Sequence, residues 1–435
     1  MRNTIFSILL ILAIILSFFT GCRAQTTEQN PGESVLISET AAPEATVPET
    51  DAPEEETTTD ASEPEQPIPA PSLAFNPFDN GLIAYLNQTR LAEGNYAVSP
   101  LSFRAALALA AIGAEGETLD QLLQTMGYTD LEALRAWYKT VLDGVDLFDG
   151  YFESSRITDR GEAAYRIVNA VWNNEDLPGE FREAYIASAE ADFRAAVKAA
   201  AADRLTDAIN NWVNEQTEGL IPALVSDASD ASAILVNALY LKAGWENSFG
   251  KIGPDVFTTA AGETVEKEYI RSLNNYAYYE DDTCQIVAVP LQGGMRMVFV
   301  LGEAENIGEK LAKAEYCRVE VTVPMFDVET SLDQHELLNY LKSLGCELPL
   351  DPDRAEFDPM FTEQLFIDDI IQKSKVSIDE EGLEAAAATA ITMYGNTAVQ
   401  NPPEPKIFRA DRPFRFYVVD SAENPELLFY GQIVN

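Results

Sequence analysis

The sequence predicts an α+β fold with large, mostly antiparallel sheets. Two observations carry that reading. From Phe78 to Leu220 apolar residues recur at helical spacing, and from Ala231 onward short β-branched and aromatic runs replace them. A third observation fixes the scale. The chain has 435 residues and a hydrophobic content of 46%, enough for a sizeable core.

The helical candidates come first. Phe78–Leu91 (FDNGLIAYLNQTRL) has an apolar stripe, and Ser99–Ala114 (SPLSFRAALALAAIGA) opens on a Ser-Pro start signal. Thr118–Gly127 closes on Gly, and Asp130–Val145 and Leu205–Leu220 are amphipathic. The strand candidates are Ala231–Trp245 (ASAILVNALYLKAGW), Gln285–Gln292, Met295–Leu301, Arg318–Glu329, Lys373–Asp379, Arg415–Asp420 and Leu427–Asn435. No repeat or second linker interrupts Leu73–Asn435, which reads as one large domain.

What precedes that domain reads as address and stalk. Arg2 and the apolar run Ile5–Phe19 form an export signal that is too short for an ordinary membrane span. The run ends in FTGC and resembles a bacterial lipoprotein signal: residues 1–21 are removed and Cys22 takes the lipid. An ordinary secretory signal is the alternative, and either one sends the protein out of the cell. Residues 22–72 are dominated by Pro, Thr, Glu and Ala. They bury too little apolar surface to order themselves. Such a stalk spans roughly 40 Å and holds the domain off the outer face of a membrane.

Charge and cysteine usage narrow the partners. A formal net charge of −42 repels nucleic acid and anionic headgroups. Cys22, Cys284, Cys317 and Cys346 form no C-x-x-C pair, so a zinc ribbon or thioredoxin-like site is not indicated. No metal set and no phosphate-cradling glycine loop is present, and no cofactor is implied. The single His, His335, sits among polar residues with no G-x-S-x-G or H-E-x-x-H motif and reads as a surface residue. An exported enzyme is therefore the weakest class, and a binding or inhibitory role rises.

At this point a resemblance appears. Asn95–Gly127 (NYAVSPLSFRAALALAAIGAEGETLDQLLQTMG) resembles the first long signature of the serpins. Ile209–Ile221 (INNWVNEQTEGLI), Leu235–Phe249 (LVNALYLKAGWENSF), FRADRPFRFYVVD and LLFYGQIVN are similar to further serpin motifs. The resemblance covers Leu73–Asn435. It implies three β-sheets, eight or nine helices, an exposed reactive loop near the C-terminus and a monomer. It also implies an inhibitor rather than an enzyme. A target serine protease, or a cysteine protease, attacks the loop, and the cleaved loop inserts into the central sheet and traps the acyl-enzyme.

The loop is DEEGLEAAAATAITMYGNTAVQNPPEP, Asp379–Pro405. Its hinge is Glu380, Glu381, Gly382, Leu383, Glu384, Ala385, Ala386, Ala387, Ala388 and Thr389. Ala-rich sequence alone favours a helix; Gly382 before it and the Pro cluster after it favour an inserting strand. Counting from Leu383, one face holds Leu383, Ala385, Ala387, Thr389, Ile391 and Met393. The other holds Glu384, Ala386, Ala388, Ala390, Thr392 and Tyr394. With the first face inward, no charge is buried. The cleavage window is Met393, Tyr394, Gly395, Asn396, Thr397, Ala398, Val399 and Gln400. Val376–Pro405 contains no Lys or Arg, so trypsin-like targets are disfavoured. Met393, Tyr394, Thr397, Ala398 and Val399 suit elastase-, chymotrypsin- or subtilisin-like pockets, elastase-like first.

Departures from the family pattern accompany these matches. Leu383 stands where Thr or Ser is usual. The Lys that normally pairs with Glu380 falls at Met325, so that bridge is expected to be absent. The usual His under the central sheet corresponds to Gln372, and the loop is several residues longer than usual. A non-inhibitory, serpin-like binding protein with a merely cleavable loop is the competing reading.

Overall fold

The computed structural model describes residues 75–154, 163–332, 335–383, 404–421 and 425–435, all within the compact unit Gln66–Asn435. The described residues hold eight α-helices: α1 (Pro77–Leu86), α2 (Pro100–Ala111), α3 (Gly116–Met126), α4 (Leu131–Ser154), α5 (Glu183–Phe193), α6 (Ala202–Gln216), α7 (Ile307–Leu311) and α8 (Glu336–Ser343). The starts follow capping chemistry. Asn76 and Ser99 accept hydrogen bonds from the backbone N–H groups of Phe78 (2.8 Å) and Ser102 (3.1 Å), and Pro77 and Pro100 occupy the first helical positions. α3 ends on Gly127 in the left-handed region, φ 83°.

Fifteen strands complete the described fold. The first five are β1 (Tyr96–Val98), β2 (Ala164–Asn174), β3 (Ala196–Ala200), β4 (Ala233–Gly244) and β5 (Gly250–Thr258). Then come β6 (Thr264–Glu280), β7 (Cys284–Pro290), β8 (Arg296–Gly302), β9 (Glu315–Pro324) and β10 (Phe326–Leu332). The last are β11 (Gln372–Ile378), β12 (Gly382–Leu383), β13 (Lys406–Arg409), β14 (Phe414–Val419) and β15 (Leu427–Ile433). Two hydrogen-bonded sheets result. One runs β10-β11-β12-β4-β2-β3; the other runs β1-β15-β14-β8-β7-β6-β9-β13, with β5 also on β6. The second ladder carries what the sequence reading counted as two sheets. The 17-residue β6 belongs to both: β5 and β9 pair along much of it, and β7 joins at Ala277–Glu280.

Every strand candidate lies in a strand, but the order "helices first" is too simple. β2 and β3 fall among the helices, and β5 and β6 were not anticipated. β6 alternates charged and apolar residues without a continuous apolar run, because one of its faces meets solvent. β4 is buried on both faces. Leu239, Leu241 and Ala243 face the main core between the sheets, while Val236 and Ala238 pack with Val168, Ala170 and Trp172 under Leu205, Ile209 and Val213 of α6. This explains its near-continuous apolar sequence.

Candidate functional site

The segment expected to act as the hinge begins in a tight turn. The Asp379 carboxylate accepts hydrogen bonds from the N–H groups of Glu381 (2.8 Å) and Gly382 (3.1 Å), and Asp379 N–H donates to Gly382 O (3.1 Å). Trp245, just past β4, clamps the turn from below. Its indole N–H donates to Asp379 O (2.8 Å) and its backbone N–H to Glu381 O (3.0 Å). Gly382 then meets β4 so closely that a Cβ there would lie 2.3 Å from Ala243 O. Only glycine allows that approach.

Leu383 follows, 2% exposed, as part of the main core. It lies opposite Ala243 on β4 and Ile378 on β11. Its side chain therefore faces inward. Among the described residues, β4 and β11 meet in the sheet only through this two-residue strand.

Met325 supplies no charge to Glu380, as expected, but Glu380 is bridged from elsewhere: Lys251 of β5 lies 2.6 Å away. The ammonium holds the Glu380 carboxyl below the ordinary carboxylate range, and Lys251 is pushed up in return. The pair ties the hinge to the second sheet.

Lower in the same sheet, a buried polar network joins the strands to α2. Asn237 of β4 faces Asn169 of β2 in register. Asn237 Nδ2 donates to Asn169 Oδ1 (2.5 Å), Ser102 Oγ donates to Asn237, and Asn169 donates to Tyr138 and to Phe193 O (2.9 Å). Across the sheet, Gln372 of β11 accepts from Ser99 N–H (3.1 Å) and donates to Ser99 O (2.8 Å). Gln372 thus takes a buried, fully partnered place where the family resemblance predicted His. Asn169 and Asn237 form no motif. Their signal is the paired V-N-A inside two apolar runs, since a buried Asn needs a partner.

α2 is itself fixed by a buried charge cluster. Arg104 pairs with Asp79 of α1 (3.0 Å) and with Glu426, and its guanidinium lies 4.2 Å from the Trp137 ring. With one cation for two carboxylates, one acid is poorly compensated. Burial pushes Asp79 up to about 7, against the pull of Arg104 and with the help of Glu426.

On the outer face, a cavity of about 320 Å³ spans β4 and β11, lined by Tyr240, Lys242 and Lys375 and by the turn Thr217–Leu220. His335 caps the start of α8, largely exposed, 3.2 Å from Asp369 and far from any nucleophile motif. Of the hinge, Glu380, Glu381, Gly382 and Leu383 are described. Cys22, Glu384 to Thr389 and the window 393–400 lie outside the described residues.

Comparison with known proteins follows this geometry. The family described as "Serpin (serine protease inhibitor)" matches residues 76–435. An uncharacterized serpin-like protein of Thermococcus kodakarensis is 29% identical and spans 100% of this chain and 99% of its own. Leukocyte elastase inhibitor of Equus caballus is 30% identical over 83% of this chain and 98% of its own. Among solved structures, the thermophilic serpin tengpin in its native state superposes with a TM-score of 0.67 at 25% identity, covering 82% of this chain and 92% of its own. Thyroxine-binding globulin with thyroxine superposes with a TM-score of 0.68 at 20% identity, covering 83% and 97%.

Proposed function

The chain belongs to the serpin family, and from that premise we propose that it is an inhibitory member acting as a suicide substrate. One observation carries the reading: Gly382–Leu383 already occupies the head of a place between β4 and β11, in register with both. Continued downward, the same register turns Ala385, Ala387 and Thr389 toward the core beside Leu241, Leu239 and Asn237. Small residues can enter a packed sheet there.

The reaction begins as ordinary proteolysis. The protease's serine hydroxyl attacks a carbonyl within 393–400 and the C–N bond breaks. The new amine leaves on the C-terminal piece, and an ester joins the protease to the N-terminal piece. The segment after Leu383 then enters the sheet and carries the protease with it. About a dozen ladder hydrogen bonds plus apolar burial supply on the order of 10–20 kcal/mol, comparable to the stability of an ordinary domain. This is enough to distort a trapped enzyme if insertion outruns deacylation.

The target class follows from the loop's residues. Without Lys or Arg the loop offers nothing to the carboxylate of a trypsin-like pocket, whereas Met393, Tyr394, Thr397, Ala398 and Val399 fit elastase-like pockets first. A family relative is named for elastase inhibition, which supports the same choice. We place the protein outside the cell, tethered through Cys22 and the 22–72 stalk; Cys22→Ser releasing it from membranes in the native host checks that.

The test is a denaturing gel of the full chain with an elastase-like protease. The expected result is a covalent band near the sum of the two masses that survives boiling. Cleavage without that band, repeated with chymotrypsin- and subtilisin-like enzymes, overturns the inhibitor reading. It would favour the serpin-fold binding protein, with Leu383 as the obstacle.

A further inference from the structure

We infer that the solvent face of β6, β9 and β13 docks the flank of the attacking protease and selects enzymes whose surface beside the cleft is acidic and apolar; this rests on the loop being a protease's target, as proposed above. Register sets the face. Leu273 of β6 lies opposite Glu320 of β9, and Glu320 lies beside Ile407 of β13. Side chains alternate, so Arg271 shares the side of Leu273, Arg318 and Tyr316 share that of Glu320, and Arg409 shares that of Ile407. The other side is core, where Ser272, Tyr276, Val319, Val321 and Phe408 are buried.

The solvent side is apolar where a surface strand is ordinarily polar. Leu273 is 44% exposed, Tyr316 50% and Ile407 52%. Two strand spacings put Leu273 about 10 Å from Ile407 in one row. Of the nine exposed large apolar side chains among the described residues, six lie on β5, β6, β9 and β13. Such residues are ordinary singly; gathered on one face they mark an interface. The charge is as unusual. In a chain with 71 acidic and 29 basic residues, this side carries Arg271, Arg318 and Arg409 against Glu320. Arg271 stands 3.9 Å from Glu320, and Arg409 is bridged to Asp255 and Asp411. Arg318 is exposed and, among the described residues, has no ion pair.

The occupant is named by where the chain comes from. β13 begins at Lys406, and the proposed cleavage window ends at Gln400, seven positions before Ile407. Seven residues reach about 25 Å at most, and a protease of about 220 residues is roughly 40 Å across. The cut leaves β13 on the C-terminal piece. A protease at the window therefore turns toward β13 the side of its cleft that holds the residues after the bond. Arginines there attract carboxylates, and Leu273, Tyr316 and Ile407 are covered by an apolar partner surface.

The test is the rate of loop cleavage in the full chain, read on a denaturing gel. The probes are one acidic and one basic protease with elastase- or chymotrypsin-like pockets. Arg318→Glu should slow the acidic enzyme about tenfold at low salt and by less at high salt. It should speed the basic enzyme. Arg318→Gln, which only removes the charge, should give a smaller change of the same sign, and melting temperatures check that each variant is folded. Leu273→Ser combined with Ile407→Ser should slow the acidic enzyme several-fold at either salt concentration. Equal rates for wild type and Arg318→Glu, or a change of one sign with both enzymes, overturn the docking inference. Cleavage without a covalent band leaves the rates readable, so the inhibitor reading then falls while docking stands. A loop that neither enzyme cuts overturns both.

Discussion

The two edges of β4 make an instructive pair. On one edge β2 runs antiparallel through ten register partners, from Ala164 opposite Lys242 to Asn173 opposite Ala233. On the other edge the described partners are Gly382 and Leu383 alone. The strand itself is the same: twelve apolar-rich residues, buried on both faces. What differs is the covalent path of the neighbour. β2 lies between α4 and α5 in chain order, whereas β12 is followed by the segment proposed above as the cleaved loop. Among the described residues β4 holds that neighbour only at its head, and on the insertion proposed above cleavage would add ladder hydrogen bonds there.

The most forceful way to break this comparison is to make the second edge unusable. On the proposed insertion, the register set by Leu383 would bring position 387 onto the core face, opposite Leu239 and Ser374. Ala387→Arg would force a charge into a packed interior, a cost of several kcal/mol that insertion must absorb. The expected outcome is loss of the entire cleavage-dependent gain in melting temperature, on the order of tens of degrees. Cleavage of the loop itself should be undiminished. Retention of the gain would show that the segment does not enter with that face inward.

How far the sequence revealed this depends on the residue. α2 was legible because Ser99-Pro100 is a local start signal. β4 and β15 were legible because their apolar runs are nearly continuous. β6 was not, since half of its side chains are polar and its pairing partners lie far away in sequence. Gly382 stood out by its place beside the Ala run, and the clash a Cβ would meet at Ala243 O is the physical reason for glycine there. Lys251 could not be found, because nothing local to "GKIG" says that β5 begins beside the turn before Gly382. Its bridge to Glu380 is a tertiary event, and the family pattern pointed to Met325 instead.

A second test separates the sheet from the helices behind it. Asp79 is raised to about 7 in the folded chain, against an ordinary value of 3.8. A raised carboxyl stabilises the fold while protonated in both states. That stability is full below about pH 4 and is lost as pH climbs toward 7, by on the order of 4 kcal/mol. Melting temperature should therefore fall across this window, and Asp79→Asn should flatten the fall. The intact and cleaved forms should shift together, because Asp79 lies on α1 and not in the sheet. A cleavage gain that itself changes with pH through Asp79 would break the comparison of the two edges.

The floor of the slot should yield a smaller effect. Gln372→Ala strips Ser99 of both partners and leaves its N–H and C=O buried, a loss of about 1–3 kcal/mol. Thermal melting of the intact chain should show it as a drop of several degrees. Gln372→His, which restores a ring donor or acceptor at the same place, should recover part of the loss at neutral pH. Failure of the Ala variant to destabilise would mean that water replaces the amide, and that β11 is not anchored through α2.

The smallest effect belongs to the pair that the sequence did not reveal. Lys251 and Glu380 are 2.6 Å apart but more than half of the Lys251 side chain is in water. Screening keeps such an exposed pair weak, so Lys251→Met should lower the melting temperature of the intact chain only slightly. The direction matters more than the size. The bridge ties the turn before Gly382 to β5, so it holds β12 in the two-residue register seen here. Releasing it should leave the cleaved form's stability untouched while easing the turn's motion, and covalent complex formation should be unchanged or modestly faster. High salt should reproduce the variant's behaviour in wild type. A large drop in intact stability, insensitive to salt, would mean instead that the methylenes of Lys251 pack against the hinge and that the charge is incidental.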